Sequence, residues 1–123
     1  MSCLLNLLEQ LSPRVEAELR PHLRSLVRGT IVRHHLPQVW VFDTDAERVS
    51  FIVDHQGAVS ALGSSDPPLD VLISVSHDVL STALEAALGL RDSHAVIRGP
   101  ITPTFYTRKG ERAFNYLRQR IGL

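Results

Sequence analysis

The chain has 123 residues, of which 44% are hydrophobic, and its basic and acidic side chains are equal in number. This length suggests one domain with a core of its own. Cys3 is the only cysteine, which excludes an internal disulfide and predicts a reducing, cytoplasmic compartment. No uncharged apolar run approaches the roughly 20 residues that a membrane span needs, and we expect no signal peptide.

The charges are unevenly distributed along the chain. Residues 1–37 carry a net charge of +2, residues 38–92 carry −7, and residues 93–123 carry +5. The favoured interpretation is intramolecular, with basic helices lying near an acidic sheet rim. The alternative is a basic surface for an anionic partner such as phospholipid head groups. Nucleic acid is not an expected partner, because only residues 105–109 combine aromatic and basic side chains.

The first 28 residues are predicted to form helices. Residues 2–11 are leucine-rich, and Ser12 and Pro13 then suit a second helix start, with serine as N-cap and proline at the first helical position. Pro21 should kink or split this second helix, and Gly29 should end it.

Residues 30–62 change to the period of two that is typical of strands. The segment Val39–Phe42 is apolar on both sides, whereas Val49–Val53 alternates with polar residues. Turns at residues 44–46 and 56–57 separate these strands from each other and from a third short strand at 58–62. The pattern predicts an antiparallel meander, followed by a loop at 63–69.

At residues 70–89 one strand runs directly into one helix. The residues at 71, 73 and 75 alternate with the others as in a strand, and the apolar positions that follow have helical spacing. Ser76 is the predicted N-cap, and Asp78 suits the first turn because the helix dipole favours a carboxylate there. Gly89 can take the left-handed conformation that ends many helices.

The C-terminal part is predicted to hold a fifth strand and a last helix. Residues 94–98 can form the strand. Pro100 and Pro103 should prevent a regular element over 100–104, which leaves Phe105 and Tyr106 exposed. An amphipathic helix is predicted from about residue 109 to residue 121, with its arginines pointing outward.

This order of elements predicts the α+β class. We expect a mixed, mostly antiparallel five-stranded sheet covered on one face by helices. The single domain divides into N-terminal helices (1–28), a sheet core (29–99), and a lid loop with the C-terminal helix (100–123).

Ser76, His77 and Asp78 are the three residue types of a serine-hydrolase triad, placed consecutively in the sequence. Triad partners must converge in space, whereas neighbours at a helix N-terminus point in different directions. Capping therefore explains Ser76 and Asp78 better, and we expect no catalytic residue here.

The six histidines show no metal-ligand spacing, and no glycine-rich phosphate loop is present. We therefore expect neither a metal nor a cofactor. A small α+β enzyme that pairs His55 with Asp54 or His35 stays an alternative.

Three features of residues 29–99 resemble the sterol carrier protein type 2 family. The first is an aromatic-rich hairpin, VWVFDTDAERVSFIVDHQGAVSAL. The second is an acidic residue, Asp70, that opens a strand running into a helix. The third is a strand ending in glycine, Ala95–Gly99. Two departures are Pro100, where the family commonly has an acidic residue, and the segment ITPTFYTRKG before the closing helix.

The resemblance implies a mixed sheet covered by helices, with an apolar tunnel between them. It implies non-enzymatic binding or transfer of a hydrophobic lipid such as a sterol, a fatty acyl chain, a phospholipid or an isoprenoid quinone. Apolar side chains of the sheet and helices are the candidate pocket residues: Trp40, Phe42, Phe51, Val53, Val71, Ile73, Leu84, Phe105, Phe114 and Leu117. From the residues alone, a filled core is the favoured interpretation of these side chains, and the resemblance makes the pocket an equal alternative. A scaffold or accessory domain for a larger enzyme is a further alternative.

Residues 100–121 are the predicted lid of this pocket. The aromatic pair 105–106 is followed at once by Arg108, Lys109 and Arg112. Apolar rings beside cations suit transient contact with an anionic membrane surface. The alternative is that Phe105 packs in the core and that the last helix is only structural.

Overall fold

The computed structural model describes residues 4–24, 34–63 and 69–123. In chain order its elements are α1 (Leu4–Arg24), β1 (Gln38–Asp43), β2 (Arg48–Val53), β3 (Val59–Gly63), β4 (Val71–Val75), α2 (His77–Ala87), β5 (Ile101–Phe105) and α3 (Arg108–Arg120). A short 3₁₀ turn, Ser93–Ala95, lies between α2 and β5.

The five strands form one mixed sheet in the order β3-β2-β1-β4-β5. β1 and β4 run parallel, and every other neighbouring pair is antiparallel. The register places Trp40 of β1 between Phe51 of β2 and Val71 of β4. The predicted fold class, the meander and the mixed five-stranded sheet are confirmed.

The core lies on one face of the sheet, which the helices cover as predicted. Paired residues of neighbouring strands share a face, so the period-two pattern brings Trp40, Phe42 and Phe51 together there. Each of these three rings is at most 1% exposed. Leucines and an isoleucine of the three helices pack against them: Leu4, Leu8, Leu11, Leu80, Leu84, Leu117 and Ile121. Each such side chain contributes about 1.5–3 kcal/mol by leaving water.

Helix α1 is continuous where the sequence predicted two helices. Ser12 does not cap a second helix, because its hydroxyl donates a hydrogen bond to the Leu8 carbonyl at 2.8 Å within the same helix. Pro13 and Pro21 both lie inside α1 and are exposed, so their rings face away from the core. Burial of the opposite face offsets the hydrogen bonds that these prolines cannot make. Gly29, the predicted end, lies outside the described residues.

Strand β5 lies at Ile101–Phe105, and the predicted strand at 94–98 is wrong. Residues 94–98 instead complete the 3₁₀ turn and continue as an irregular segment. Pro103 stands opposite Ile73 of β4. A proline is tolerated in an edge strand, because alternate N–H groups there face away from the neighbouring strand. The expectation that Pro100 and Pro103 prevent a regular element over 100–104 is therefore also wrong, and the sheet extends beyond residue 99.

Helix α2 has a cap at each end. The Ser76 hydroxyl accepts a hydrogen bond from the Val79 N–H at 3.2 Å, as predicted for an N-cap. Gly89 has a φ of +75°, as predicted for the residue that ends the helix. The Ala87 carbonyl accepts a hydrogen bond from Arg14 of α1 at 2.9 Å, which places a cation at the negative end of the helix dipole.

The N-terminus of α3 is fastened to the sheet by Asp70, which directly precedes β4. One carboxylate oxygen, Oδ1, accepts a hydrogen bond from the Thr107 hydroxyl at 2.6 Å, and the other, Oδ2, accepts one from the Val39 N–H at 2.9 Å. The Lys109 ammonium lies 3.6 Å from Oδ1. Thr107 is also the N-cap of α3, since its Oγ1 accepts from the Gly110 N–H at 3.1 Å. The predicted last helix is thereby confirmed and its start explained.

Helix α3 approaches the sheet so closely at Gly110 that a larger residue would not fit there. A Cβ at this position would lie 2.7 Å from the Asp70 carbonyl oxygen and 2.9 Å from Val71 Cγ2. We predict that Gly110→Ala lowers the free energy of unfolding by about 1–3 kcal/mol, although alanine is the better helix former. Urea denaturation measures the change.

Gly63 is the matched control for this substitution, because a Cβ there meets nothing within 4 Å. Gly63→Ala should change the free energy of unfolding by less than about 0.5 kcal/mol. Equal stabilities of the two variants would show that the contact between α3 and β4 is looser than described.

Candidate functional site

An open groove lies between α2, the segment 93–101 and the end of the chain; we call it the α2 groove. Its volume is about 450 Å³. Its walls are mostly small or apolar: Val79, Ala83, Ala86, Ala87, Val96, Ile97, Gly99, Ile101, Gly122 and Leu123, with Ser93 and Arg98 as the polar members. A Cβ at Gly99 would lie 2.7 Å from Val79 Cγ2, so the backbone of the segment rests directly on α2.

A smaller cavity lies between α1, the residues that lead into β1, and α3; we call it the α1–α3 cavity. Its volume is about 130 Å³. Four apolar side chains line it, Leu19, Leu36, Ala113 and Leu117, together with four polar ones, His35, Gln38, Arg112 and Tyr116. A mostly apolar cavity with a few convergent polar groups is the usual form of a ligand site.

The backbone beside the α1–α3 cavity is held in place by Gln38, which is completely buried. Its Nε2 donates hydrogen bonds to the carbonyls of His35 at 2.5 Å and Lys109 at 2.9 Å, and its Oε1 accepts one from Trp40 Nε1 at 3.0 Å. Partial burial lowers the pKa of His35, and the positive charges of Arg112 and His34 lower it further.

Most of the predicted pocket residues lie together in the buried core beneath the helices. These are Trp40, Phe42, Phe51, Val53, Val71, Ile73, Leu84 and Leu117. Phe114 of α3 extends this group, since its ring stacks on Trp40 with centroids 5.6 Å apart and meets Phe105 edge-on at 5.3 Å. Leu117 also lines the α1–α3 cavity. A ligand-binding role for the group stays a prediction.

The predicted exposure of the aromatic pair is confirmed. Phe105 is 39% exposed and Tyr106 is 58% exposed, although Phe105 also contacts Phe114. The walls of the α2 groove could not be predicted from a sequence pattern that assigned residues 94–98 to a strand. The position of Arg112 near His35 could not be predicted either, because only the packing of α3 brings these residues to one cavity.

Ser76, His77 and Asp78 do not form a triad, and capping accounts for the serine as predicted. The His77 N–H donates a hydrogen bond to Asp45 Oδ1 at 2.7 Å, so the turn between β1 and β2 supplies a further anion to the start of α2. This bond is the main reason why the pKa of Asp45 lies below its ordinary value.

His55 and Asp54 lie in the turn between β2 and β3. Asp54 Oδ1 accepts hydrogen bonds from the backbone N–H groups of Gln56 at 2.8 Å and Ala58 at 2.9 Å. Such bonds are how an aspartate shapes a turn, so they account for Asp54 without a catalytic role. In residues 4–24, 34–63 and 69–123 no ion pair involves a histidine, and no three metal-ligating side chains cluster.

The described helices also bear on membrane insertion. None of those in the described ranges has both the length and the apolar character that crossing a bilayer requires.

No family model matches the chain, and no curated protein matches it. Among solved structures it is similar to the UbiJ-SCP2 ubiquinone synthesis protein, with 15% identity, a TM-score of 0.49, and coverage of 89% of this chain and 95% of that one. It is also similar to apo sterol carrier protein 2 from Yarrowia lipolytica, with 13% identity, a TM-score of 0.38, and coverage of 93% and 94%.

A third similar structure is the sec-alkylsulfatase Pisa1 from Pseudomonas sp., with 16% identity and a TM-score of 0.42. That match covers 67% of this chain, which spans only 13% of the sulfatase.

The hydrogen bond between Asp45 and α2 predicts a pH dependence of stability. Because folding lowers the pKa of Asp45, its contribution is present above the ordinary value of 3.8 and is lost as the pH falls through the lowered value. We expect Asp45→Asn to lower the melting temperature at pH 7, with the difference from wild type shrinking in strong acid. Thermal unfolding followed by circular dichroism at several pH values measures this difference.

Asp43→Asn, an exposed substitution at the end of β1, serves as the control. A difference between Asp45→Asn and wild type that stays constant from neutral pH to strong acid would contradict the role assigned to the carboxylate.

Proposed function

We propose that this chain binds a hydrophobic lipid without catalysing a reaction and that the α2 groove receives the apolar chain of the ligand. The observation that carries the proposal is the groove itself. Its volume of about 450 Å³ falls within the roughly 300–1,000 Å³ that is typical of small-molecule sites. Its walls offer apolar surface, whose burial stabilises a complex by about 25 cal/mol per Å².

The shape of the groove follows from its small side chains. Ala83, Ala86 and Ala87 form one side of α2, and Gly99 lets the opposite segment approach it closely. A chain-like ligand can therefore lie along the helix without displacing a large side chain. Arg98 is exposed and lines the groove, where its guanidinium can meet an anionic head group. The resemblance of residues 29–99 to the sterol carrier protein type 2 family supports the same class of ligand.

The predicted lid, residues 100–121, is part of the proposal. Helix α3 carries Phe114, whose ring contacts Trp40 and Phe105, so a shift of α3 would open these rings to a larger ligand. Contact of the lid with an anionic membrane would then couple ligand entry to the lipid source. A cytoplasmic protein could collect its ligand from a bilayer surface in this way.

Blocking the α2 groove tests the binding proposal. Ala86 lines the groove and is only partly exposed, so an indole at this position would fill it. We predict that Ala86→Trp abolishes saturable binding of a fluorescent fatty acid. Ala17→Trp, on the exposed side of α1, is the matched helical control and should bind as wild type does.

Mass spectrometry of organic extracts from natively purified protein identifies the ligand independently. An absence of saturable binding for fatty acids, sterols and quinones, together with extracts free of lipid, would contradict the proposal. That result would favour a scaffold role, whereas turnover lost on substitution of His55 or His35 would favour the enzyme alternative.

Membrane contact is tested with liposomes at low and high salt. Tyr106 and Arg108 are both exposed, so Tyr106→Ser with Arg108→Gln removes an apolar ring and a cation at little risk to the core. We predict that wild type floats with anionic liposomes at low salt and that the double variant floats less. Each cation near an anionic surface is worth on the order of 1 kcal/mol.

The matched control is Leu62→Ser with Arg48→Gln, an exposed apolar residue and an exposed cation on β3 and β2. It should float as wild type does. Equal recovery of all three proteins in every condition would mean that the segment 100–121 is structural only.

A further inference from the structure

We propose that the α1–α3 cavity is a second binding site, which takes a small apolar carboxylate. The ring or short chain of this ligand fills the cavity, and its carboxylate pairs with Arg112 beside His35. This site is separate from the α2 groove, and the inference does not rest on the lipid-binding proposal.

The size of the cavity sets the size of the ligand. Its volume of about 130 Å³ is close to the roughly 150 Å³ of an apolar protein cavity that binds benzene. Leu19, Leu36, Ala113 and Leu117 supply comparable apolar walls. A single ring or a short branched chain therefore fits, whereas a sterol or a long acyl chain does not.

The charges at the cavity favour an anion. Arg112 lies close enough to His35 for its charge to lower the pKa of that imidazole, so two basic groups meet there. None of the ion pairs found within the described parts of the chain includes Arg112. A ligand carboxylate would satisfy the guanidinium, which can donate two parallel hydrogen bonds to it.

The backbone that carries the two basic residues is fixed before a ligand arrives. The buried Gln38 amide donates to the carbonyls of His35 and Lys109 at once, which ties residue 35 to the helix that carries Arg112. Lys109 reinforces this tie, because its ammonium donates to the Pro37 carbonyl at 2.6 Å. A site whose backbone is fixed in advance loses less entropy when it binds.

The test compares benzoate with benzyl alcohol, which has the same ring and no charge. Binding to the full chain is measured at pH 7 by ligand-observed NMR titration. Wild type should bind benzoate about tenfold more tightly than benzyl alcohol, as expected for one hydrogen bond to a charged group. Arg112→Gln should remove this preference and leave benzyl alcohol binding unchanged. Arg108→Gln, an exposed arginine one turn earlier on α3, is the matched control and should keep the preference.

A second variant tests the cavity rather than the charge. Ala113→Leu places a larger side chain in the cavity and should abolish binding of both probes. Circular dichroism checks that the variant is folded; if it is not, Arg112→Gln decides alone. Absence of saturable benzoate binding, equal affinities of the two probes for wild type, or an unchanged preference in Arg112→Gln would each overturn the proposal.

Discussion

The placement of the C-terminal helix depends on one buried carboxylate. Asp70 is 4% exposed, and its side chain accepts hydrogen bonds from Val39 and Thr107. Its backbone N–H donates to the Val39 carbonyl at 2.8 Å, and its carbonyl accepts from the Tyr106 N–H at 2.8 Å. One residue thus joins β1, β4 and the start of α3. An unpaired buried carboxylate is strongly destabilising, so the folded state favours conformations in which Val39 and Thr107 keep their hydrogen bonds to Asp70.

Both proposed sites are consequences of where Asp70 puts α3. The Lys109 ammonium pairs with Asp70 and donates a hydrogen bond to the Pro37 carbonyl. The Lys109 carbonyl accepts a hydrogen bond from Gln38, so the same turn of α3 borders the α1–α3 cavity. Three turns later the chain ends against α2, where Gly122 packs on Ala83 and borders the α2 groove. The acidic residue that carries part of the family resemblance therefore has an architectural role in this chain.

Sequence periodicity was sufficient to predict a strand or helix where the local hydrophobic pattern matches the buried face of that element. The alternation in β1, β2 and β4 and the helical spacing of α2 and α3 reflect one buried face, which hydrophobic burial selects directly. The sequence pattern predicted breaks at the prolines of α1 and β5 that the structure does not show. The free-energy cost of a proline depends on whether its missing N–H would have faced solvent or a hydrogen-bonding partner. The cavities could not be predicted, since Leu19, Leu36 and Leu117 come from distant parts of the chain and only tertiary packing leaves space between them. For the same reason, the sequence identified the aromatic group but could not tell a filled core from a tunnel.

Some of the unevenly distributed charges form ion pairs within the fold, and others do not. Glu18 of α1 pairs with Arg120 of α3 at 3.2 Å, and Asp70 pairs with Lys109, which supports the intramolecular interpretation for these charges. Within the described residues, the ion pairs leave out Arg108 and Arg112 in the first two turns of α3. Arg108 is exposed and lies two residues after the exposed Tyr106, so salt screens its attraction for an external partner over a Debye length of about 8–10 Å. Arg112 is exposed too, but it borders the α1–α3 cavity, whose apolar walls can hold the ring or short chain of a small anion. Salt dependence therefore separates the two uses of this surplus charge. It should be steep for the bilayer, which several cations would contact, and shallower for the small carboxylate, which one guanidinium would contact while apolar burial holds its ring.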